Sequence, residues 1–453
     1  METRAFTQIK NRVRKYNKEL FAFIADSPTP FHAAANMAEK LEANGFTKLR
    51  EEDPWQIKKK KRYYVIRNNS AVIAFITGDK DPWDTGINIA CAHTDSPCLR
   101  VKPFPEKHFN TMTRLGVEVY GSARLTTWFD RGLNLAGRVT CLMKKNNGQD
   151  PDDLTSLLIN FKRPVAVIPS LAIHLDRDAN NETGINPQID ISPLFYLDGF
   201  GNKTAFKEIL FHQAVAQYPE ISIKKIIDFE MSFSCMEPPG YSGLNNEFIL
   251  GSRLDNLISC HAVLESLIQT GTEKTSMIVC TDHEEIGSDS PAGAKGSFLL
   301  SVLARLTATP EKSGRTAARS MMISWDNAHA AHPCHGEKHD GNHLPQLNKG
   351  PVLKINSSLR YASNSESSAV FKTLCASADI PFQTFVMRSD MPCGSTTGPI
   401  LSARTGIRTV DAGAPSLAMH SISELCGAFD PHMIYQVNRQ FFTMAPLPLL
   451  SLT

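Results

Sequence analysis

Apolar runs alternate with segments of helical periodicity along the second half of the chain. The apolar runs that predict buried strands are 277–281, 321–325, 382–387 and 407–410. Helical spacing of apolar residues covers about 254–267, 296–306 and 365–378. Strands that alternate with helices in this way are typical of a layered α/β domain with a central, mostly parallel sheet.

The first hundred residues add two helices and three strands to this pattern. Helices are predicted at 6–25 and 31–44, with the proline-containing segment 27–30 between them. Strands are predicted at 63–66 and 71–76, which form a hairpin, and at 87–92. The last of these, Ile87-Asn88-Ile89-Ala90-Cys91-Ala92, leads directly into His93.

Residues 100–240 have a different pattern. Short β-prone runs dominate, at 116–120, 138–143 and 164–168, and turn-forming residues cluster between them. We therefore predict a discontinuous catalytic domain made of 1–99 and 241–453, with a β-rich domain of residues 100–240 inserted into it.

Composition narrows the functional classes. The 453 residues include 48 basic and 46 acidic side chains, a net charge of +2, which argues against a nucleic-acid-binding protein. No apolar stretch approaches the roughly 20 residues of a membrane span, and the N-terminus lacks a signal-peptide pattern. The ten cysteines are scattered, and many lie in apolar runs. They indicate reduced core thiols, so we expect a cytoplasmic protein.

Five of the predicted strands lead into side chains that can bind a metal. His283-Glu284-Glu285 follows the strand at 277–281. The other four runs lead to His93 with Asp95, to Asp326, to Asp390, and to Asp411 with His420 soon after. Because ligands in open α/β sheets bind beyond the carboxyl ends of the strands, these residues predict one common site.

The residue types suit a metal-dependent hydrolase. In an adjacent glutamate pair, one carboxylate binds a cation and the other takes a proton from water. Asp95 lies two residues after His93, where it can accept a hydrogen bond from the imidazole and fix its tautomer. Asp255, at the start of a predicted helix, can bridge two cations, and His420 adds a second nitrogen ligand. Such a mixed set favours zinc, with manganese or cobalt as alternatives.

Each of these features has a structural alternative. The glutamate pair fits a solvated acidic turn, and Asp255 fits a first-turn acid that the helix dipole favours. The HExxH metalloprotease motif is not formed, since Gly287 stands where its second histidine would be. The histidine-rich stretch 329–343 has irregular spacing, and we interpret it as a loop of which at most one member reaches the site.

Five motifs together resemble the aspartyl aminopeptidases, the M18 family of metallopeptidases. They are His93-Thr94-Asp95-Ser96-Pro97, Gly251-Ser252-Arg253-Leu254-Asp255-Asn256, His283-Glu284-Glu285-Ile286-Gly287-Ser288, the run from Asp390 to Pro399, and Met419-His420-Ser421. They occur in family order and extend over essentially the whole chain. The resemblance implies a zinc-peptidase-like α/β domain that is interrupted by a dimerisation domain.

The resemblance also implies a role for each candidate residue. Two zinc ions per subunit would be held by His93, Asp255 and Asp326, and by Asp255, Glu285 and His420. Glu284 would be the general base, and Asp95 would orient His93. Lys354 and Asp390 would contact peptides with N-terminal Asp or Glu. His174 would reach the active site of a neighbouring subunit within a dimer, and the dimers would assemble into a tetrahedral dodecamer.

Other assignments remain open from the residues themselves. A lysine on a short apolar run, like Lys354, is most often a surface residue, and His174 fits a buried or interface histidine. The same metal site also fits a neutral-residue aminopeptidase or a small-molecule deacylase. A third alternative is a non-catalytic assembly protein with a vestigial site, although Glu284 argues against it because a structural metal needs no base.

Overall fold

The computed structural model describes residues 2–144, 153–181, 184–200 and 204–444, which divide into two compact units. The first unit contains the described residues of Met1–Asp95, Pro239–Met419 and Glu424–Thr453. The second contains those of Ser96–Pro238 together with the short segment His420–Ser423. No helix in these described ranges is both long and apolar enough to cross a membrane.

The helices and strands are numbered in chain order. The helices are α1 (Glu2–Ala25), α2 (Pro30–Ala43), α3 (Pro82–Thr85), α4 (Phe206–Gln217), α5 (Leu254–Ile268), α6 (Phe298–Thr307), α7 (Pro310–Arg319), α8 (Ser365–Ser377), α9 (Thr397–Thr405) and α10 (Asp430–Thr443). The first ten strands are β1 (Thr47–Lys48), β2 (Arg62–Arg67), β3 (Ala71–Ile76), β4 (Asn88–His93), β5 (Cys98–Phe109), β6 (Met112–Tyr120), β7 (Leu133–Met143), β8 (Leu154–Asn160), β9 (Leu194–Leu197) and β10 (Ile223–Cys235). The remainder are β11 (Gly240–Ser242), β12 (Phe248–Gly251), β13 (Ser276–Thr281), β14 (Met321–Trp325), β15 (Ala328–His329), β16 (Val352–Ile355), β17 (Gln383–Val386), β18 (Arg408–Gly413), β19 (Pro415–Leu417) and β20 (Glu424–Gly427).

A mixed sheet forms the centre of the first unit, in the order β1-β2-β3-β13-β4-β14-β18-β16-β17. The inner strands β13, β4, β14 and β18 run parallel to their neighbours in this group. The hairpin strands β2 and β3 are antiparallel, as predicted. The predicted α/β class is confirmed, and parallel strands occupy the middle of the sheet.

Both faces of this sheet are buried, which explains the continuous apolar runs in the sequence. On β4, Ala90 and Ala92 face one core cluster, which includes residues of α1, α2, α5, α8 and α10. Ile89 and Cys91 face the other, which includes residues of α6 and α9. Because alternate side chains of a strand point to opposite faces, a strand between two helical layers is apolar at most positions.

The sequence patterns missed several elements of the first unit. They did not indicate α7, α9 or α10, and they ended the strand at 407–410 too early. Strand β18 extends through Asp411 to Gly413, so this carboxylate lies within the strand and not after it. A five-stranded sheet of the order β11-β12-β20-β19-β15 was also not predicted.

The second unit is built on a six-stranded antiparallel sheet, in the order β8-β7-β10-β5-β6-β9. Its β-rich character agrees with the sequence pattern. The pattern did not indicate helix α4, whose Phe206, Leu210 and Ala214 are buried in the core of this unit. The dimerisation role assigned to this part of the chain stays a prediction.

Candidate metal centre

Three predicted ligands meet at the carboxyl ends of neighbouring strands. His93 ends β4, Asp326 directly follows β14, and Asp255 lies at the start of α5. These side chains each offer one ligand atom, and the three atoms lie within 4.8 Å of one another. The distance from His93 Nε2 to Asp255 Oδ1 is 3.6 Å. All three residues are at most 9% exposed, so the structure brings a nitrogen and two carboxylates together in a protected position.

Contacts from distant parts of the chain hold Asp255 in place. Its backbone N–H donates to Glu424 Oε2 at 2.8 Å, and Glu424 is only 2% exposed. The adjacent Asn256 donates from Nδ2 to the carbonyl of Trp325, at 2.7 Å. This second bond links the segment that carries Asp255 to the strand that carries Asp326.

The glutamate pair lies in a short turn that Asp95 organises. After β13, His283 adopts a left-handed conformation with φ of 64°, and Glu284 begins a 3₁₀ turn. The N–H of Glu284 donates to Asp95 Oδ1 and the N–H of Glu285 donates to Asp95 Oδ2, both at 3.1 Å. Both glutamates also form a possible ion-binding group with His93. One buried carboxylate therefore fixes the backbone of both glutamates.

The contact between His93 and Asp95 differs from the predicted one. His93 Nδ1 lies 3.0 Å from the backbone carbonyl oxygen of Asp95, and 3.4 Å from its Oδ1. The carbonyl is the nearer acceptor, so Nδ1 donates to it and Nε2 is left to face Asp255. The Asp95 carboxylate also accepts from the backbone of the glutamate turn. The predicted role of Asp95 in orienting His93 stays a prediction.

The cluster is electrostatically suited to a cation. Burial raises the pKa of Glu284 well above its usual range; His93 acts in the opposite direction, and Asp326 and Glu285 add to the rise. Burial also raises the pKa of Asp326, with Lys354 opposing and Asp255 contributing to it. Several carboxylates thus compete for positive charge in a small buried volume, which is the condition that a bound cation relieves.

Lys354 lies beside one of the predicted ligands. It is on β16 and only 3% exposed. Its Nζ donates to the carbonyl of Asn327 at 2.9 Å and lies 3.6 Å from Asp326 Oδ1. The ring of Tyr361 lies 5.2 Å from the same ammonium. The alternative interpretation of Lys354 as a surface residue is therefore wrong, because its side chain is buried and paired with Asp326.

Two other carboxylates have different environments. Asp411 is fully buried and accepts hydrogen bonds from Thr396 Oγ1 and the N–H of Ala362, each at 2.6 Å. Within the described ranges it is not part of any group that can hold an ion. Asp390 is exposed and forms a two-point ion pair with Arg388, at 2.9 and 2.6 Å. Its predicted contact with substrate stays a prediction.

The remaining candidates lie in the second unit. His420 begins the segment His420–Ser423, and its carbonyl accepts a hydrogen bond from the N–H of Arg124 at 3.0 Å. His174 lies in an irregular segment and is exposed, like the neighbouring Leu171, Ile173 and Leu175. One alternative was that His174 is a buried core histidine. Its exposure in the single chain rules this alternative out. The roles of His420 and His174 stay predictions.

Sequence reasoning missed Glu424 and the pairing of Lys354 with Asp326. Glu424 follows Met419-His420-Ser421 by only three residues, and a glutamate amid an otherwise uncharged segment was the available signal. No comparable signal pointed from Lys354 to Asp326, because these residues are 28 positions apart and meet only through sheet pairing.

A buried set of nitrogen and oxygen ligands beside a glutamate pair, at the ends of parallel strands, defines a metal-dependent hydrolase. The family model described as "Aminopeptidase I zinc metalloprotease (M18)" matches residues 23–442. The chain belongs to this M18 family and is a metalloaminopeptidase. It is 47% identical over 432 residues to a "Probable M18 family aminopeptidase 2" from Pseudomonas putida strain KT2440, covering 95% of this chain and 99% of the relative. A relative with the same description from Azotobacter vinelandii is equally similar.

Solved structures agree with this assignment. A structure of the Ape4 and Nbr1 complex contains a chain with a TM-score of 0.91 and 35% identity, covering 95% of this chain and 86% of that one. The mApe1 dodecamer of S. cerevisiae gives a TM-score of 0.82 at 26% identity, covering 95% and 97%. An M18 aminopeptidase from Thermotoga maritima, at 24% identity and a TM-score of 0.81 with 97% of each chain covered, shows the same fold.

Proposed function

We propose that this protein is a dinuclear zinc aminopeptidase that releases N-terminal Asp or Glu from peptides. The observation that carries the proposal is the meeting of His93, Asp255 and Asp326 beside the Glu284-Glu285 turn. A purely structural metal site would need neither a second glutamate nor a buried carboxylate that fixes its backbone. The arrangement is better suited to catalysis than to structural support.

The donor set fits zinc. One imidazole nitrogen and several carboxylate oxygens are among the ligands that Zn²⁺ accepts, and manganese or cobalt would suit the same set. We assign one ion to His93, Asp255 and Asp326, and a second to Asp255, Glu285 and His420, the last by its sequence motif. When bound, the pair would polarise the scissile carbonyl and acidify the attacking water.

Glu284 has the properties of the general base. It adjoins the predicted ligand Glu285, forms a possible ion-binding group with His93, and has its backbone N–H held by the Asp95 carboxylate. In the proposed cycle it takes a proton from the attacking water and gives it to the leaving amine. Asp95 acts through this positioning and through the carbonyl that accepts from His93 Nδ1.

The preference for acidic residues rests on Lys354. Its ammonium is buried next to Asp326, so a substrate carboxylate that reaches it would gain a charge-assisted hydrogen bond in a place with little water. Because the ammonium lies 3.6 Å from Asp326 Oδ1, Lys354 also stabilises the charge and the position of this predicted ligand. We therefore expect it to affect all substrates to some degree and acidic ones most. Asp390, which is paired with Arg388, is the less direct candidate for a substrate contact.

Self-association is the second part of the proposal. A related M18 protein, the mApe1 of S. cerevisiae, has been solved as a dodecamer. We propose dimers that assemble into a tetrahedral dodecamer, in which His174 of one chain donates a hydrogen bond to the developing oxyanion in its neighbour. The exposure of His174 among three exposed apolar side chains supports a position that a second chain covers. The scattered cysteines favour a cytoplasmic location.

One experiment tests the activity. The metal content of purified protein is measured, and hydrolysis of Asp-, Glu-, Leu- and Ala-peptides is followed with metal-replete and chelated samples. At least two ions per chain and faster turnover of the Asp and Glu substrates are expected. Faster turnover of Leu or Ala would replace the proposal by a neutral-residue aminopeptidase, and activity on acylated small molecules alone would indicate a deacylase. A metal-replete protein that is inactive on all of them would indicate an assembly protein with a vestigial site.

A further inference from the structure

Helix α5 carries a second group of potential ligands away from the predicted catalytic residues. His261 and Glu265 are four positions apart on this helix, so they share one face, and Glu19 of α1 lies opposite them. One ligand atom from each of the three lies within 4.8 Å of the others. His261 Nε2 and Glu265 Oε1 are 4.0 Å apart. The spacing is that of a histidine–carboxylate pair which needs only a small contraction to bind one ion.

His261 has no polar partner of its own in the described part of the chain. It is 0% exposed, and neither ring nitrogen makes a hydrogen bond to a described residue. The rings of Tyr16 and Phe23 pack against it, at 5.0 and 5.6 Å between centroids. Burial, and secondly the charge of Lys40, lower the pKa of His261 to about 3, so the ring is neutral. A buried neutral imidazole with an unused lone pair is uncommon, since buried polar atoms are normally bonded.

A lysine now supplies the positive charge between the carboxylates. Lys40 contacts Glu265, and its Nζ lies 3.7 Å from Glu19 Oε2. Its side chain is 34% exposed, so it can withdraw to solvent without leaving a buried void. Glu265 is 8% exposed, and burial raises its pKa while Lys40 opposes that rise. The two glutamates therefore attract a cation, but one ammonium neutralises only half of their charge and makes no use of the imidazole.

Access from solvent is also present. A cavity of about 770 Å³ is lined by Glu19 and Glu265, together with side chains of α1, α5, α8 and α10. Its wall includes Tyr16, which packs against His261. An ion can therefore reach Glu19 and Glu265 from this cavity, past the cationic side chains of Arg12, Lys15 and Arg439 that also line it.

We propose that His261, Glu265 and Glu19 form a binding site for one divalent transition-metal ion, with Lys40 as the cation that it displaces. One nitrogen and two oxygen donors suit zinc, manganese or cobalt, while magnesium and calcium prefer oxygen ligands alone. Asp255 lies at the N-terminal end of the same helix, six positions before His261. An ion at this site would join α1 to α5 and stabilise the helix that carries Asp255.

The direct test is metal counting combined with anomalous diffraction on the full-length protein in zinc. Wild type should show an anomalous peak between His261, Glu265 and Glu19 in addition to any at the catalytic ligands. Glu19→Gln should lose this peak and one ion per chain. The matched control is Glu39→Gln, which removes an exposed glutamate from α2 and should bind as many ions as wild type. No peak at the three side chains, with equal ion counts in all variants, would show that Lys40 is the permanent counter-ion.

A second variant keeps the proposal open to refutation even if loss of Glu19 perturbs packing. Lys40→Met removes the competing charge and keeps both carboxylates. Zinc should then bind this site roughly tenfold more tightly, the scale of one unit charge at a few ångströms in a partly exposed position. The melting temperature of Lys40→Met should fall in chelator and rise more steeply with zinc than that of wild type. A zinc response no larger than that of wild type would contradict the proposal.

Discussion

Replacement of Asp95 by asparagine tests whether this buried carboxylate positions the glutamate turn. Asp95 is 0% exposed, and its two oxygens each accept one N–H, from Glu284 and from Glu285, at 3.1 Å. Asparagine retains one acceptor and presents an NH₂ group to the other N–H. A hydrogen bond to a charged group contributes about 1.5–3 kcal/mol, and about 1.4 kcal/mol corresponds to a factor of ten in rate. If the lost hydrogen-bond energy displaces Glu284 from its catalytic position, kcat should drop by about 10- to 100-fold.

The assay is steady-state hydrolysis of an Asp-peptide at saturating zinc, with metal content and melting temperature measured on the same samples. Asp289→Asn is the control, because it removes an equal charge from the same loop, where the side chain is 84% exposed. The control should keep wild-type kcat. An Asp95→Asn enzyme with normal metal content and near-normal kcat would refute the positioning role. If the variant loses both metal and activity, the main role of Asp95 is instead to hold His93 in position to bind the metal.

Four further outcomes are expected. Glu284→Gln should retain metal but lose at least about 10²-fold in kcat, as for removal of a general base; near-normal turnover would exclude this role. Lys354→Met should lower kcat/KM on Asp- and Glu-peptides far more than on Leu-peptides, and equal losses would reduce Lys354 to a support for Asp326. Inactive Glu284→Gln and His174→Ala chains should partly restore activity when coassembled, and no rescue in a verified mixed assembly would refute a shared site. Finally, burial raises the pKa of Asp430 to about 7, so the folded chain holds an extra proton and loses stability as the pH rises from about 4 to 7. Asp430→Asn should lack this loss, and urea unfolding of both proteins across the range would reveal it.

The predicted strands and helices of the first unit were correct where the local pattern was strong. The runs at 277–281 and 321–325 are strands β13 and β14, and helical spacing at 254–267 matches α5. Helix α7 was missed because it has almost no apolar residues, and Thr316 is the one residue that it buries. Helix α10 was missed although its buried residues Ile434, Val437, Phe441 and Phe442 recur at helical spacing. In the second unit, α4 was missed because β-prone runs surround it, although Phe206, Leu210 and Ala214 bury one face of it.

The candidate site was partly predictable for a similar reason. Ligands at the ends of parallel strands converge because the strands do, so His93 and Asp326 could be placed together from their positions after apolar runs. Asp390 and Asp411 also follow or end such runs, yet one is exposed and the other lies within its strand. The pattern identifies which residues can be ligands, but strand length and side-chain direction decide which of them are.

The sequence by itself determined the class of the first unit, the segments that bring ligands to one edge of its sheet, and, by resemblance, the family. Tertiary structure alone decided how those ligands are held. Asp95 is 189 positions from Glu284, and Glu424 is 169 positions from Asp255, yet each pair is joined by a hydrogen bond. Local periodicity reports which face of a helix or strand is buried. It contains no information on which distant polar group shares that burial, because that depends on how the strands and helices pack in space.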